Sequence, residues 1–396
     1  MDLQKKIFGQ FFTRKNFWLQ PHVLEFIKSI QPKVIFDPFA GKGDLLEVAR
    51  TIGFSRLLGC DIDESLKWKK NDSLLHVPKI KDSVVLTNPP YLTNYSAKRK
   101  GIFNQVQKYF NKCRYSDLYQ LAIEKCLAND YGVMIVPETF INSTFPKNRL
   151  VSITIIEDSL FSDTDTPVCV ICFDNKNKSL DEVKIYKNNI FLGTLQSFEQ
   201  MRKIPKNNIN IQFNAPDGQI ALRAVDTTNP LSPVSFMKPE EINYDLSKIK
   251  FSSRLITTIK IVAQEENIGQ IINFSNQILF SFREECHDIL LSPFKGNKKD
   301  GTRRRRLDYL TARAVLEDAY ELTEGSLTPT LFPLKNSYEK QYQAAGIFTP
   351  KCGTHYGGVL LKSRKFINSQ RSSRKNDSNA KKPGTLGVHC YLQFFY

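Results

Sequence analysis

An α/β fold is what this sequence predicts, with a mostly parallel sheet in the first half of the chain and a differently composed second half. Three observations predict it. Between Val34 and Phe173 short apolar runs alternate with segments of helical spacing. Two of those runs open into turns rich in Gly or Pro, at residues 37–44 and 88–91. After about Asn175 the strand signals weaken, and Pro, Asn and Ser become frequent. Strand–helix alternation predicts a parallel sheet with helices on both faces, and ligands of such sheets sit outside the carboxyl ends of the strands.

The elements follow in order. Val34–Asp37 is a short apolar run ending in a Gly-rich turn, and residues 44–52 continue with helical spacing. Residues 57–62 are a second apolar run, interrupted by acid at Asp61, and Ser83–Thr87 is a third. Residues 119–127 have helical periodicity, Gly132–Pro137 is a fourth strand, and residues 151–156 and 167–173 complete the set. The polar stretch 175–179 reads as a loop, as do 205–210, 229–233 and 295–301. Arg303–Arg306 is a block of arginines leading into helical spacing at 307–322. Residues 362–382 hold eight basic side chains against the single acid Asp377, in a Ser- and Asn-rich context that reads as mobile. The expected organisation is a catalytic domain at 1–178, a second domain at 179–364 and a basic tail at 365–396.

The bulk numbers narrow the classes. Lys and Arg total 56 against 40 for Asp and Glu, a net charge of +16. Such a surplus suits a polyanionic partner, because basic side chains release the counterions condensed on phosphates. Basic ribosomal and membrane-surface proteins share it. No apolar run is long enough for a membrane span, and the first residues mix charge with aromatics rather than forming a secretory signal. The eight cysteines are scattered, as suits reduced thiols in a cytoplasmic protein. Cys169 and Cys172 lack a second pair at zinc spacing and read as core packing. The five histidines form no triad or metal motif, and no metal is expected.

Two turns carry chemistry. In the first, Asp37-Pro-Phe-Ala-Gly-Lys-Gly-Asp44, Gly41 and Gly43 allow a sharp turn and close approach of a ligand to the backbone. No G-K-[ST] follows, which disfavours a phosphate-binding P-loop. Asp61, 24 residues beyond Asp37, ends the next strand, where a carboxylate can accept both hydroxyls of a ribose. In the second turn, Asn88-Pro89-Pro90-Tyr91, two prolines fix the backbone and remove two donors. The Asn88 side-chain oxygen and the Pro89 carbonyl are then left to accept hydrogen bonds from a planar amino group. Tyr91 offers a flat face to an extruded base.

Gly9-Gln-Phe-Phe-Thr13, then 37–44, then Asn88–Pro–Pro–Tyr91, resembles the γ class of adenine-N6 DNA methyltransferases of type II restriction–modification systems. The resemblance covers roughly residues 7–175. It implies a Rossmann-like, seven-stranded S-adenosyl-L-methionine-binding domain whose last strand, 167–173, is antiparallel, followed by a target-recognition domain. It implies methyl transfer to N6 of a flipped adenine in double-stranded DNA, in functional pairing with a restriction endonuclease, by a monomer. By position, Phe12 and Thr13 would close over the methionine end of the cofactor. Asp37, Phe39, Gly41 and Gly43 would form the cofactor loop, Asp61 would hold the ribose, and Ile62 and Asp72 would contact the cofactor adenine. Asn88, Pro89 and Tyr91 would form the acceptor site, with Phe161 as the second aromatic against the base. One departure is that Arg14, not Pro, follows Thr13.

Arg303, Arg304, Arg305 and Arg306 are expected to contact DNA phosphates. Two readings compete with the DNA enzyme. The tetrapeptide also occurs in methyltransferases of ribosomal RNA and of protein glutamine, and a DNA-binding protein with impaired catalysis would keep the same motifs.

Overall fold

The computed structural model describes residues 16–325, apart from 112, 159, 161–165, 251–252 and 264–266. The described residues all fall within one compact unit, and residues 336–396 lie outside them. The expected mobile tail, with its basic stretch 362–382, lies outside them too.

Helix α1 (Pro21–Ile30) starts at a proline, whose fixed φ suits a first helical turn, and buries Val23 and Ile27 one turn apart. Strand β1 (Val34–Asp37) follows, then α2 (Asp44–Thr51), β2 (Leu57–Asp61) and the two-residue β3 (Lys69–Lys70). Strand β4 (Ser83–Thr87) leads through α3 (Asn94–Arg99) and α4 (Phe103–Phe110) to α5 (Leu118–Cys126). Strands β5 (Gly132–Pro137), β6 (Leu150–Ile156) and β7 (Val168–Phe173) complete the expected set. Every residue of β1, β4 and β7 is buried. Strands covered on both faces read as unbroken apolar runs, which is why they were visible without a structure.

The sheet runs β3-β2-β1-β4-β5-β7-β6 and then continues through β8 (Lys184–Lys187) and β9 (Ile190–Thr194). Strands β1, β2, β4 and β5 are parallel, and β7 is antiparallel to both β5 and β6. The α/β mixed sheet thus has the seven strands expected, with the last antiparallel, and an added hairpin that carries it past residue 178. Cys169 and Cys172 are three apart on β7, face opposite sides of the sheet and are fully buried in two different clusters.

After α6 (Leu195–Met201) the chain builds an antiparallel sheet in the order β10 (Ile211–Phe213), β13 (Ile256–Ile261), β11 (Ile220–Arg223), β12 (Ser235–Met237). Helices α7 (Ile268–Glu285) and α8 (Tyr309–Thr323) flank the hairpin of β14 (Ser292–Asn297) and β15 (Arg303–Arg306). The stretch 295–301, expected as a loop, therefore gives its first three residues to β14. One apolar cluster runs from Phe140 and Ile171 under the first sheet to Ile289 and Leu316 in the second half. No described helix is long and apolar enough to cross a membrane.

Candidate functional site

Strands β1 and β4 lie side by side, but the chain leaves β1 toward β2 and leaves β4 toward β5. Their carboxyl ends are therefore a topological switch point, where connections diverge and leave a crevice. A cavity of about 380 Å³ opens there. Its wall includes Asp37, Phe39, Gly41, Asp61, Ile62, Asp72 and Asn88. These seven are separated by up to 51 residues in sequence; the fold brings them to one wall.

The glycine turn is braced from outside. Gly41 and Gly43 have φ of 52° and 88°, a region costly for residues with a Cβ. The Trp68 indole donates to the Gly41 carbonyl at 2.8 Å, and a Cβ on Gly43 would meet the Trp68 ring at 2.7 Å. Ser73 donates its hydroxyl to the Pro38 carbonyl at 2.5 Å. Sequence reasoning missed Trp68 and Ser73. The available signal was weak: the chain has only two tryptophans, and one stands beyond the ribose-type acid.

The carboxylates are held differently. Asp61 accepts from the Gly41 N–H at 2.8 Å through one oxygen and from the Asp63 N–H at 2.9 Å through the other. Each oxygen keeps a second lone pair for a ligand hydroxyl. Asp37 is buried, and its Oδ1 accepts from the Thr87 hydroxyl at 2.5 Å and the Phe39 N–H at 2.9 Å. Burial pushes its carboxyl up to about 7, against the pull of those two hydrogen bonds. Asp72 accepts from Lys108 Nζ at 2.8 Å and the Tyr109 hydroxyl at 2.9 Å, both on α4. That helix was not foreseen, and its Gln105, Val106 and Tyr109 form part of the cavity wall. Ile62 is 46% exposed at the same wall, an apolar surface set beside Asp61.

Within the tetrapeptide, Asn88 and Pro90 line the cavity; Pro89 and Tyr91 do not. The Tyr91 ring packs into the core, and its hydroxyl lies 2.6 Å from Asn88 Oδ1 and 2.9 Å from the Ile135 carbonyl on β5. Burial drives its hydroxyl well above the usual tyrosine range, so it stays protonated as a donor. This geometry differs from the expected open stacking face: here Tyr91 orients Asn88 rather than facing the cavity. Phe12, Thr13 and Phe161 lie outside the described residues.

The arginine block needs correction. It forms strand β15, whose alternation turns Arg303 and Arg305 inward. Arg305, 2% exposed, pairs with the equally buried Glu138 just after β5. Arg303 donates to the Glu157 carbonyl at 3.0 Å. Arg304 donates to the Asp226 carbonyl at 2.7 Å and lies over the Phe294 ring. Arg306 is half-buried. Phosphate contact by Arg303 and Arg305 does not hold, because both side chains are spent inside the fold.

Residues 58–163 match a protein-family model, the Eco57I restriction-modification methylase. That stretch contains Asp61, Asp72 and the 88–91 tetrapeptide but begins after the glycine turn. No curated protein matches the chain. Among solved structures, the modification subunit of a putative type I restriction enzyme from Vibrio vulnificus YJ016 is similar at 16% identity and a TM-score of 0.32, over 45% of this chain and 47% of that one. The type I restriction-modification methyltransferase subunit from Streptococcus thermophilus is similar at 15% identity and a TM-score of 0.32, over 50% and 55%. The type IIG restriction endonuclease BpuSI is similar at 13% identity and a TM-score of 0.33, over 85% of this chain and 65% of that one. The chain spans about half the length of the first two. At these scores none of the three likenesses bears on what the chain does.

Proposed function

We propose that this chain is a restriction–modification methyltransferase that moves a methyl group from S-adenosyl-L-methionine to N6 of adenine in duplex DNA. One observation carries the reading: a single cavity wall joins the glycine turn, Asp61, Ile62 and Asp72 to Asn88. The methylase match over 58–163 supports the same class.

The residues present fit the cofactor. Gly41 brings bare backbone to the cavity, while Gly43 turns the chain behind it against the Trp68 ring, which holds that backbone in place. Asp61 offers lone pairs to ribose hydroxyls, and Ile62 and Asp72 supply an apolar and a polar contact for an adenine. When bound, the cofactor supplies an activated methyl group on a sulfonium. The protein's own task is then to position the acceptor nitrogen and make its lone pair available.

Adenine N6 is a poor nucleophile because its lone pair is delocalised into the ring. An acceptor on one of its hydrogens, Asn88 Oδ1 at the cavity wall, favours a pyramidal nitrogen. The Tyr91 hydroxyl keeps the Asn88 side chain turned toward this task. A base inside a duplex cannot reach Asn88, so the target must leave the stack. In this reading Phe161 flanks the extruded base, and Phe12 and Thr13 cover the cofactor. The biological role is protection of DNA from a cognate endonuclease.

The test is transfer of a tritiated methyl group to unmethylated duplex DNA, with nucleoside analysis of the product. Label in N6-methyladenine is the expected result. Label appearing only in RNA or protein acceptors ends the DNA reading. Asn88→Ala is expected to lower methyl transfer about 10²–10³-fold, the usual cost of one well-placed polar contact, while the cofactor dissociation constant stays within about twofold. Full activity in that variant removes Asn88 from the mechanism.

A further inference from the structure

Residues 92–116, which join the tetrapeptide to α5, hold six basic side chains and no acidic one. They supply six of the chain's net +16 in a segment the sequence reading passed over. In the fold this segment forms α3 and α4, and α4 is part of the cavity wall that also holds Asn88. Charge of one sign is thus gathered beside the acceptor site. Lys98, Arg99 and Arg114 are exposed. Lys98 Nζ sits 5.1 Å from the centre of the Phe103 ring, and Arg114 donates to the Tyr115 hydroxyl at 3.0 Å. The Lys98 ammonium and the Arg114 guanidinium thus each rest against an aromatic ring at the exposed surface. Tyr95, on the first turn of α3, is 65% exposed beside them.

We propose that this basic connection, through Lys98, Arg99 and Arg114, is the surface that grips the backbone phosphates of duplex DNA next to the target base. The proposal rests on the DNA reading given above and replaces the arginine block as the phosphate contact, since Arg303 and Arg305 are enclosed by the fold. Phosphate contacts fix register and orientation without reading sequence. Placed on the segment that directly follows Asn88, they hold the duplex where an extruded base has the shortest path to the acceptors. Each neutralised phosphate releases counterions, so the grip has a signature in salt dependence.

The experiment measures binding of the full chain to a fluorescent duplex of random sequence across a range of KCl, for wild type and for Lys98→Ala/Arg99→Ala/Arg114→Ala. Duplex DNA contributes a log–log slope of about −0.9 per phosphate contact, so the variant's slope is expected to be shallower by about two to three. Its affinity should fall at least about tenfold at a fixed salt concentration near the physiological. None of the three residues lines the cavity, so the cofactor dissociation constant should not move. An unchanged slope in a variant that still binds cofactor overturns the proposal. Should the variant lose cofactor binding as well, the wild-type chain decides: Lys98 should be protected from acetylation by bound duplex, and equal modification with and without duplex overturns it. Tighter binding of RNA of the same length overturns the assignment to DNA. Methyl transfer to DNA with an unchanged slope rejects the surface but keeps the enzyme; a shallower slope without methyl transfer does the reverse.

Discussion

Asp37 shows what burial does to a single residue. It ends β1 at 2% exposure, with Thr87 and the Phe39 N–H on one oxygen, and still rises to about 7. The unfolded chain releases this proton near the ordinary carboxylate value, whereas the folded chain keeps it to about 7. Between those values the folded state binds more protons, so the contribution to stability is full below the window and is lost as pH rises through it. Asp37→Asn should flatten the change in melting temperature between about pH 4 and about pH 7. Equal pH slopes in both proteins would show that Asp37 does not titrate in that window. Asp37 was legible as the end of a strand before a glycine turn. Its raised carboxyl was not, because desolvation depends on the neighbouring strands that cover it. Tyr91 makes the same point: its identity marked the motif, but only packing revealed that its hydroxyl serves Asn88 and Ile135.

At the scale of elements, the turn from β1 into α2 depends on a residue distant in sequence. Gly43 caps α2 with a left-handed backbone, and Trp68 fills the space a side chain there would need. Gly43→Ala should cost about 1–3 kcal/mol in chemical denaturation, the usual cost of a side chain forced into that backbone region. It should also weaken cofactor binding, because the turn that presents Gly41 to the cavity must shift to admit the methyl group. A variant with wild-type stability and cofactor affinity would mean that the turn tolerates a side chain and that Trp68 does not brace it. The turn was readable because two glycines one residue apart after an apolar run carry a backbone meaning of their own. The brace was not, because a tryptophan in an irregular stretch has no local pattern to say what it packs against.

Across the described residues, the second half is tied to the first sheet by buried charge. Glu138 follows the last residue of β5, the strand whose Ile135 carbonyl holds Tyr91, and Arg305 reaches it from β15. Glu138 also donates its own N–H to the Pro167 carbonyl at the entry to β7. Removing one member of a buried pair strands the other charge. Glu138→Ala alone should therefore destabilise by about 3–5 kcal/mol, while Glu138→Met with Arg305→Met should recover most of that loss. Thermal melts of the single and double variants check this, and a double variant no better than the single one would show that the pair's geometry itself is required. The arginine block was misread from sequence for an identifiable reason. Four consecutive basic residues look like a solvent-facing run, but a strand turns alternate side chains inward, and a distant glutamate receives one of them.

By itself, the sequence determined the α/β class, the order of six strands' apolar runs, and the residue types at the two turns. Those features are local: buried parallel strands need unbroken apolar runs, and sharp turns need glycine or proline. It carried the family resemblance in the same short motifs. Only the tertiary structure decided that the two turns meet at one crevice between β1 and β4, that α4 completes its wall, and that Arg303 and Arg305 of β15 are enclosed by the fold. It likewise put the exposed Lys98, Arg99 and Arg114 on the connection that supplies part of the wall holding Asn88. Each of these depends on which distant segments become neighbours. That is set by how a whole sheet buries its faces, and no short window of sequence contains it.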